Sequence, residues 1–471
     1  MSSKAVARDG REWTGLTERA VRVLRGRDEA EAYVASVCFK HGPPRLVGVE
    51  LEWLLATHGQ PPSRLDAAAL VAALGPHAPT SLVPRSPALP LPLGSTVTVE
   101  PGGQVELASQ PFTDLGALFT AVSADIAELH GRLARHSLVP HPVGADPVFP
   151  PRRLLRTPRY TAMEAAFDRL GGEGRSMMCS TAAVQPCLDL GEAGDLVLRW
   201  TTLHALGPVL VAAFANSPVL HGRRTGWQSS RMACWLALDP PRTASPDPRT
   251  MADPVTGYAR RAMEASLICL RRPGEPSWLA PPGLTFADWL AGAPDAPPFP
   301  PTTADLDLHL STLFPPVRPH GHAEVRYLDA QAGDDWVVPV AVLAALLASP
   351  GTTSAALDAC LPVADRWRPA ARDGLVDPAL AGAARTVFTL AADALAGVGA
   401  PDRVRELVTR FTERWVLPGR SPASGFPMSP TAPEEPSTGA IWPPDPGGAA
   451  SPVSDTDARL VSDTDPREGT S

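Results

Sequence analysis

With 471 residues, 44% hydrophobic and 20% charged, the chain can bury one large core or two modest ones and has an ordinary globular composition. A formal charge of −8 argues against a nucleic-acid or anionic-membrane partner, either of which needs a basic face. Only Lys4 and Lys40 are lysines among the 42 basic residues, so there is no Walker lysine and no Schiff-base lysine, and any phosphate falls to arginine, backbone amides or a metal.

The 55 prolines cluster, marking loops and a tail. Residues 1–13 read as a loose start without the apolar segment of a signal peptide. Asp28 reads as the cap of a helix running to about Phe39, with Ala32, Val34, Ala35 and Val37 on its buried side. After the stop at 41–44, residues 45–56 (RLVGVELEWLLA) read as a strand. On it Glu50 and Glu52 share one face while Val49, Leu51 and Trp53 take the other. Two carboxylates in so apolar a strand are costly to bury unless paired or metal-bound; the alternative is an edge position with both in water.

A helix is expected around 65–74. Residues 96–110 (TVTVEPGGQVELASQ) read as a hairpin turning at Pro101-Gly102-Gly103. A three-residue loop sets Glu100 against Gln104 and Thr98 against Glu106, putting Glu100 and Glu106 on the same side of the sheet; a two-residue loop splits them. Like charges so placed call for a cation between them, a hard divalent ion first of all, unless the hairpin is a solvated surface feature. From Asp114, Leu115, Leu118, Phe119, Val122, Ile126, Leu129 and Leu133 recur at helical spacing as a core stripe.

Residues 139–157 read as a loop, followed by a short helix from Pro158 to about Leu170. Arg152, Arg153, Arg156 and Arg159 are either phosphate contacts or a solvated loop. Residues 179–188 read as a buried strand in which Pro186 fits best at an edge or bulge. A helix over 194–213 follows. In 221–239 (HGRRTGWQSSRMACWLALD), Arg231 with Trp227 and Trp235 nearby suits a carboxylate-binding pocket, or a buried structural ion pair. A helix and strand are expected over 253–270, then loops to about Pro301.

In 309–330 (HLSTLFPPVRPHGHAEVRYLDA), a turn at 315–321 precedes a strand whose Glu324 and Arg326 share a face, with Asp329 on the other. A surface salt bridge is the competing reading of that pair. Residues 336–417 read as Ala-rich helices with Val340, Leu343, Leu346 and Leu347 on one apolar side, and 418–471 as a disordered tail with a VSDTD repeat at 453–457 and 461–465. The apolar runs 206–215 and 337–348 fall short of the about 20 residues that span a bilayer and read as buried helices. Cys38, Cys179, Cys187, Cys234, Cys269 and Cys360 lack CxxC or zinc-like spacing and read as reduced thiols of a cytoplasmic protein.

If the three acidic blocks share one sheet, Glu50, Glu52, Glu100, Glu106 and Glu324 converge into an acidic floor that takes several Mg²⁺ or Mn²⁺ ions, with Arg326 neutralising a transferring phosphoryl group. The blocks VGVELEW, VTVEPGGQVELASQP, VQPCLD, FANSP with GWQSSR, and 309–330 resemble the plant-type glutamate-cysteine ligase family, and more closely its bacterial branch serving ergothioneine synthesis, over about 46–330. The resemblance implies an α+β fold, an antiparallel β-sheet funnel with surrounding helices related to the glutamine synthetase catalytic fold. It implies an ATP-dependent ligase that phosphorylates the γ-carboxylate of L-glutamate for attack by the amine of L-cysteine. It further implies that Glu50, Glu52, Glu100, Glu106 and Glu324 hold Mg²⁺ around ATP, that Arg326 contacts the γ-phosphate, and that Arg231, with Trp235 beside it, binds the glutamate α-carboxylate. Plant members carry Asn where Cys187 stands. A ligase for a different amine and a non-catalytic binding protein are the rival readings; a monomer is the expected state.

Overall fold

Eleven residues in which large apolar side chains alternate with Glu50 and Glu52 form strand β1 (Val47–Thr57), the axis of the fold in this computed structural model. The structure describes residues 21–59, 62–271 and 277–426; the loose start expected over 1–13 and the VSDTD repeats lie outside the described residues. Along the chain follow β2 (Thr96–Val99), β3 (Val105–Ala108), β4 (Leu138–His141), β5 (Ala183–Leu188), a small separate hairpin of β6 (Val219–Leu220) and β7 (Arg223–Arg224), then β8 (Val317–Pro319), β9 (Ala323–Val325) and β10 (Leu328–Asp329). The main sheet runs β2-β3-β1-β5-β9-β8, with β4 also on β1 and β10 also on β5. All of these pairs are antiparallel, and helices surround the sheet, giving an α+β architecture.

Register sorts the two faces. Glu50 lies opposite Gln185, Glu52 opposite Glu106, Thr98 opposite Glu106, and Glu324 opposite both Cys187 and Arg318. By the two-residue period these side chains share one face, while Val49, Leu51 and Trp53 occupy the other and are buried. There Trp53 meets His130 edge-on, ring centroids 5.0 Å apart, from the helix Leu115–Arg135 that Asp114 caps through the Ala117 amide.

Pro186 sits in a central strand, not at an edge. Val49, opposite it, directs its carbonyl to the Ser109 amide and its amide to Ser109 Oγ on the β3 side, so Val49 and Pro186 face each other as a non-hydrogen-bonded pair. The donor that proline lacks would point toward the interruption between β9 and β10, where no ladder partner is required.

Several expectations are corrected. Asp28 lies within the first turn of the helix Arg27–Cys38, and Gly26 holds the cap position. Ala30, Tyr33, Val34, Val37 and Cys38 form the buried side, leaving Ala32 exposed and Ala35 half-buried. The expected loop over 139–157 contributes most of β4, the segment read as a turn contains β8, and a helix, Glu173–Cys179, precedes β5. The expected strand near 265–270 is only the isolated bridges Ser266–Thr285 and Cys269–Leu279, and a helix, Phe286–Ala291, interrupts the loops that follow. Short elements like these carry too few periods to be read from sequence.

The apolar run at 206–215 belongs to a longer helix, Leu196–Phe214, whose 19 residues and mean hydropathy of 1.4 reach membrane-spanning length and composition; 89% of that stretch is buried inside the protein. It packs against the helices Pro350–Cys360, Trp367–Asp373 and Pro378–Ala394. The last of these, continued to Val398, spans 21 residues at hydropathy 1.3, with 44% buried. The segment read as tail begins within the fold. The Ala423 amide donates to the Ala215 carbonyl at 2.9 Å, and Phe426 packs on Leu54, Val143, Ala182 and Ala330.

Candidate active site

The acidic face starts at the β2–β3 hairpin. The Glu100 amide donates to the Gln104 carbonyl, and the Gly103 amide to the Glu100 carbonyl, both at 2.8 Å, which is the three-residue loop. Gly103 takes φ +96°, and a Cβ on Gly102 would lie 2.3 Å from the Cys179 carbonyl oxygen, so this turn tolerates no side chain where it meets the neighbouring helix. Glu100 and Glu106 consequently reach the same space as Glu52, and one carboxylate oxygen from each of Glu52, Glu100 and Glu106 lies within 4.8 Å of the others. Thr98 Oγ1 donates to Glu106 Oε1 at 2.6 Å and Gln185 Nε2 to Glu52 Oε1 at 2.8 Å.

Electrostatics show how far these acids are from being neutralised. Burial, reinforced by Glu106, lifts the Glu52 carboxyl to about 7. Burial and then Glu324 and Glu106 push Glu50 well above the usual carboxylate range, and burial raises Glu106 against the opposing Thr98 hydrogen bond. Glu324 behaves oppositely. Burial would raise it, but Arg318 and Arg326 overcome burial and hold it at about 2. Glu324 forms an ion pair with Arg326 and a longer one with Arg318 Nη1, at 3.4 Å. Arg326 itself is raised, burial being outweighed by Glu324, Glu52 and Glu50.

Arg231 sits in the helix Ser230–Leu236, capped by Ser229, and is 2% exposed. Its Nη2 donates to the Arg326 carbonyl, and its Nη1 stands 3.9 Å from Asp329 Oδ1. Asp329 also accepts from the Asn216 amide at 2.8 Å, Ser217 Oγ at 2.7 Å and Ser229 Oγ at 2.9 Å, which ties the FANSP and GWQSSR blocks to β10. Trp235 is approached by two guanidinium groups, with Arg231 Cζ 5.3 Å and Arg326 Cζ 5.5 Å from the ring centroid. Arg231 Nε, Arg326 Nε, Trp235 Nε1 and Gln185 Oε1 are buried without hydrogen-bond partners.

Thus Glu50, Glu52, Glu100 and Glu106 gather on the hairpin side of the face, Glu324 and Arg326 pair beside them, and Arg231 and Trp235 stand behind Arg326. Three of the four loop arginines are otherwise engaged, and Arg156 is exposed. Arg152 donates to the Leu65 carbonyl, Arg153 pairs with Glu164, and Arg159 donates to the Ser311 carbonyl. Sequence reasoning missed Gln185 and Arg318, together with His320 and His322, which lie near Glu324. The signal was the two-residue alternation of Arg318, His320, His322, Glu324 and Arg326, interrupted by a proline and a glycine. Cys187 is half-buried on the acidic face, its thiol pushed far up by burial and by Glu50 and Glu324.

Residues 46–419 match the model of the glutamate-cysteine ligase family 2 (GCS2). The chain is 38% identical to the glutamate–cysteine ligase EgtA of Mycolicibacterium smegmatis over 85% of this chain and 90% of that one. It is 29% identical to a chloroplastic glutamate–cysteine ligase of Medicago truncatula over 51% of this chain and 47% of the relative. A solved glutamate–cysteine ligase from Francisella tularensis, in complex with AMP, aligns at a TM-score of 0.47 and 12% identity, covering 82% of this chain and 84% of that one.

The chain belongs to the glutamate-cysteine ligase family 2. It is an enzyme of that type, a glutamate–cysteine ligase.

Proposed function

We propose that this ligase uses Mg²⁺ and ATP to convert the γ-carboxylate of L-glutamate to a γ-glutamyl phosphate, which the amine of L-cysteine then attacks, and that the γ-glutamylcysteine serves ergothioneine biosynthesis. The observation that carries the reading is the Glu52, Glu100 and Glu106 cluster, three carboxylates within 4.8 Å, of which Glu52 and Glu106 are raised by burial and Glu52 further by Glu106, so that both favour positive charge beside them. The donor set is all oxygen, with no thiolate or imidazole in the cluster, which fits Mg²⁺. Glu52, Glu100 and Glu106 would hold the ion, with Glu50 adjoining; Glu324, now neutralised by Arg318 and Arg326, is the fifth acid in reach. Bound there, Mg²⁺ would supply charge neutralisation for the ATP phosphates.

The chain's own groups account for the rest. Arg326, braced by Glu324 and Trp235, presents fixed positive charge where phosphoryl charge develops, a task the scarcity of lysine leaves to arginine. Arg231, buried with Nε unpartnered, offers a guanidinium to the α-carboxylate of glutamate and so orients the γ-carboxylate toward the acidic floor. The six cysteines are free thiols, consistent with a reducing, cytoplasmic setting, and a monomer contains every group named.

Purified protein given Mg-ATP, glutamate and a panel of amino acids tests the reading. Phosphate release is expected with cysteine; release with another amine but not with cysteine defeats the acceptor assignment. Absence of Mg-ATP binding in calorimetry would favour a non-catalytic protein.

A further inference from the structure

We propose that His320, His322 and Glu324 form a second site, for a divalent transition metal of the zinc class, distinct in donor chemistry from the all-carboxylate cluster. Gly321, at φ +76°, forms the apex of the β8–β9 turn, and the His320 amide donates to the His322 carbonyl at 2.8 Å across it. Below the apex Pro319 lies opposite Ala323 and Arg318 opposite Glu324. The two-residue period then brings His320, His322 and Glu324 out on one side of the hairpin. One ligand atom from each lies within 4.8 Å of the others, and the imidazole centroids are 5.6 Å apart.

His322 Nε2 is buried with no hydrogen-bond partner, an expensive arrangement for a ring nitrogen unless something else occupies it. The carboxylate has capacity left. Arg326 engages Glu324 Oε1, whereas Arg318 Nη1 donates only a long bond, 3.5 Å, to Oε2, longer than the roughly 2.7–2.9 Å usual for a charge-assisted pair and so the weaker hold on that oxygen. Two imidazoles and one carboxylate make a three-ligand set with an open fourth position, the ligand count of zinc sites that keep a place for water, not of closed structural ones. Imidazole also sorts the metals: it suits Zn²⁺, Co²⁺, Ni²⁺ and Cu²⁺ and gives Mg²⁺ little, so each ion has its own end of the face. Because Glu324 is shared, an ion here competes with Arg326 for the charge of the carboxylate and lowers ligase turnover. That last consequence rests on the role proposed above for Arg326; binding of the ion does not.

Titration of the metal-free full-length protein with Co²⁺, followed by its d–d absorption, tests the site. One ion per chain is expected, retained against excess Mg²⁺ and without a thiolate band. His320→Asn and His322→Asn, each checked for native circular dichroism, should weaken it by more than the about 10-fold that loss of a supporting partner costs. Glu52→Gln and Cys187→Ala should leave it unchanged. Co²⁺ affinity unaltered in both histidine variants, or abolished by Cys187→Ala, overturns the assignment. In the ligase assay Zn²⁺ should inhibit the wild type and spare His322→Asn; Co²⁺ binding without inhibition would refute the link to Glu324 and Arg326.

Discussion

Replacing Glu52 by Gln should stabilise the metal-free protein, and only at higher pH. Glu52 faces Glu106 directly across β1 and β3, and burial with that like charge lifts it from the ordinary 4.5 to about 7. An acid whose folded pKa exceeds its unfolded value binds its proton more tightly in the native state. The wild type therefore carries no penalty below pH 4.5, loses stability as the pH rises toward 7, and bears the full cost above it. At about 1.4 kcal/mol per pKa unit, the rise from 4.5 to about 7 caps that cost at about 3–4 kcal/mol. Glutamine keeps the shape and an oxygen for the Gln185 Nε2 bond while removing the charge. Denaturant unfolding in the presence of a chelator should show Glu52→Gln more stable than wild type by about 1–3 kcal/mol at pH 8 and nearly level at pH 4. A variant no more stable at pH 8, or equally stabilised at both, would refute the reasoning.

Glu106→Gln should cut turnover at least about 100-fold with no loss of metal-free stability, since its charge is repelled there and needed only with the ion bound; unchanged activity removes Glu106 from the site. Arg231→Lys retains a charge but loses the planar fork, so the KM for glutamate should rise about 10-fold or more while the KM for ATP holds; equal shifts in both would contradict a carboxylate role. Gly207→Ala would set a Cβ 2.0 Å from Trp367 Cη2 in the buried helix Leu196–Phe214, and should cost about 1–3 kcal/mol in an unfolding titration; an unchanged midpoint would show that the tryptophan moves freely.

How much of this was legible in the sequence depended on whether a signal was local. The hairpin was legible from Pro101-Gly102-Gly103, but its register was open between a three- and a two-residue loop until the Glu100–Gln104 bond placed Glu106 opposite Thr98. Glu50 and Glu52 were legible because an alternating strand sorts its faces without outside help. That both blocks meet Glu324 depended on β5 pairing with β1 on one side and β9 on the other, a long-range fact no window of sequence contains. Arg318 was hidden because β8 is three residues long and bounded by prolines. Pro186 counted against a central strand until the break between β9 and β10 appeared beside it. Arg231 could be read locally as a pocket residue or as a structural ion pair because one end makes only a loose 3.9 Å approach to Asp329 while the Arg326 carbonyl holds the other.

On the proposed function, the acidic floor and Arg326 direct the γ-phosphoryl group of ATP onto the glutamate side chain. Glutamate carrying ¹⁸O in its γ-carboxylate, turned over with Mg-ATP and cysteine, tests this most directly through the mass of the released phosphate. One labelled oxygen per phosphate, with ADP as the nucleotide product, is the predicted result. Unlabelled phosphate, or label appearing in AMP, would contradict it.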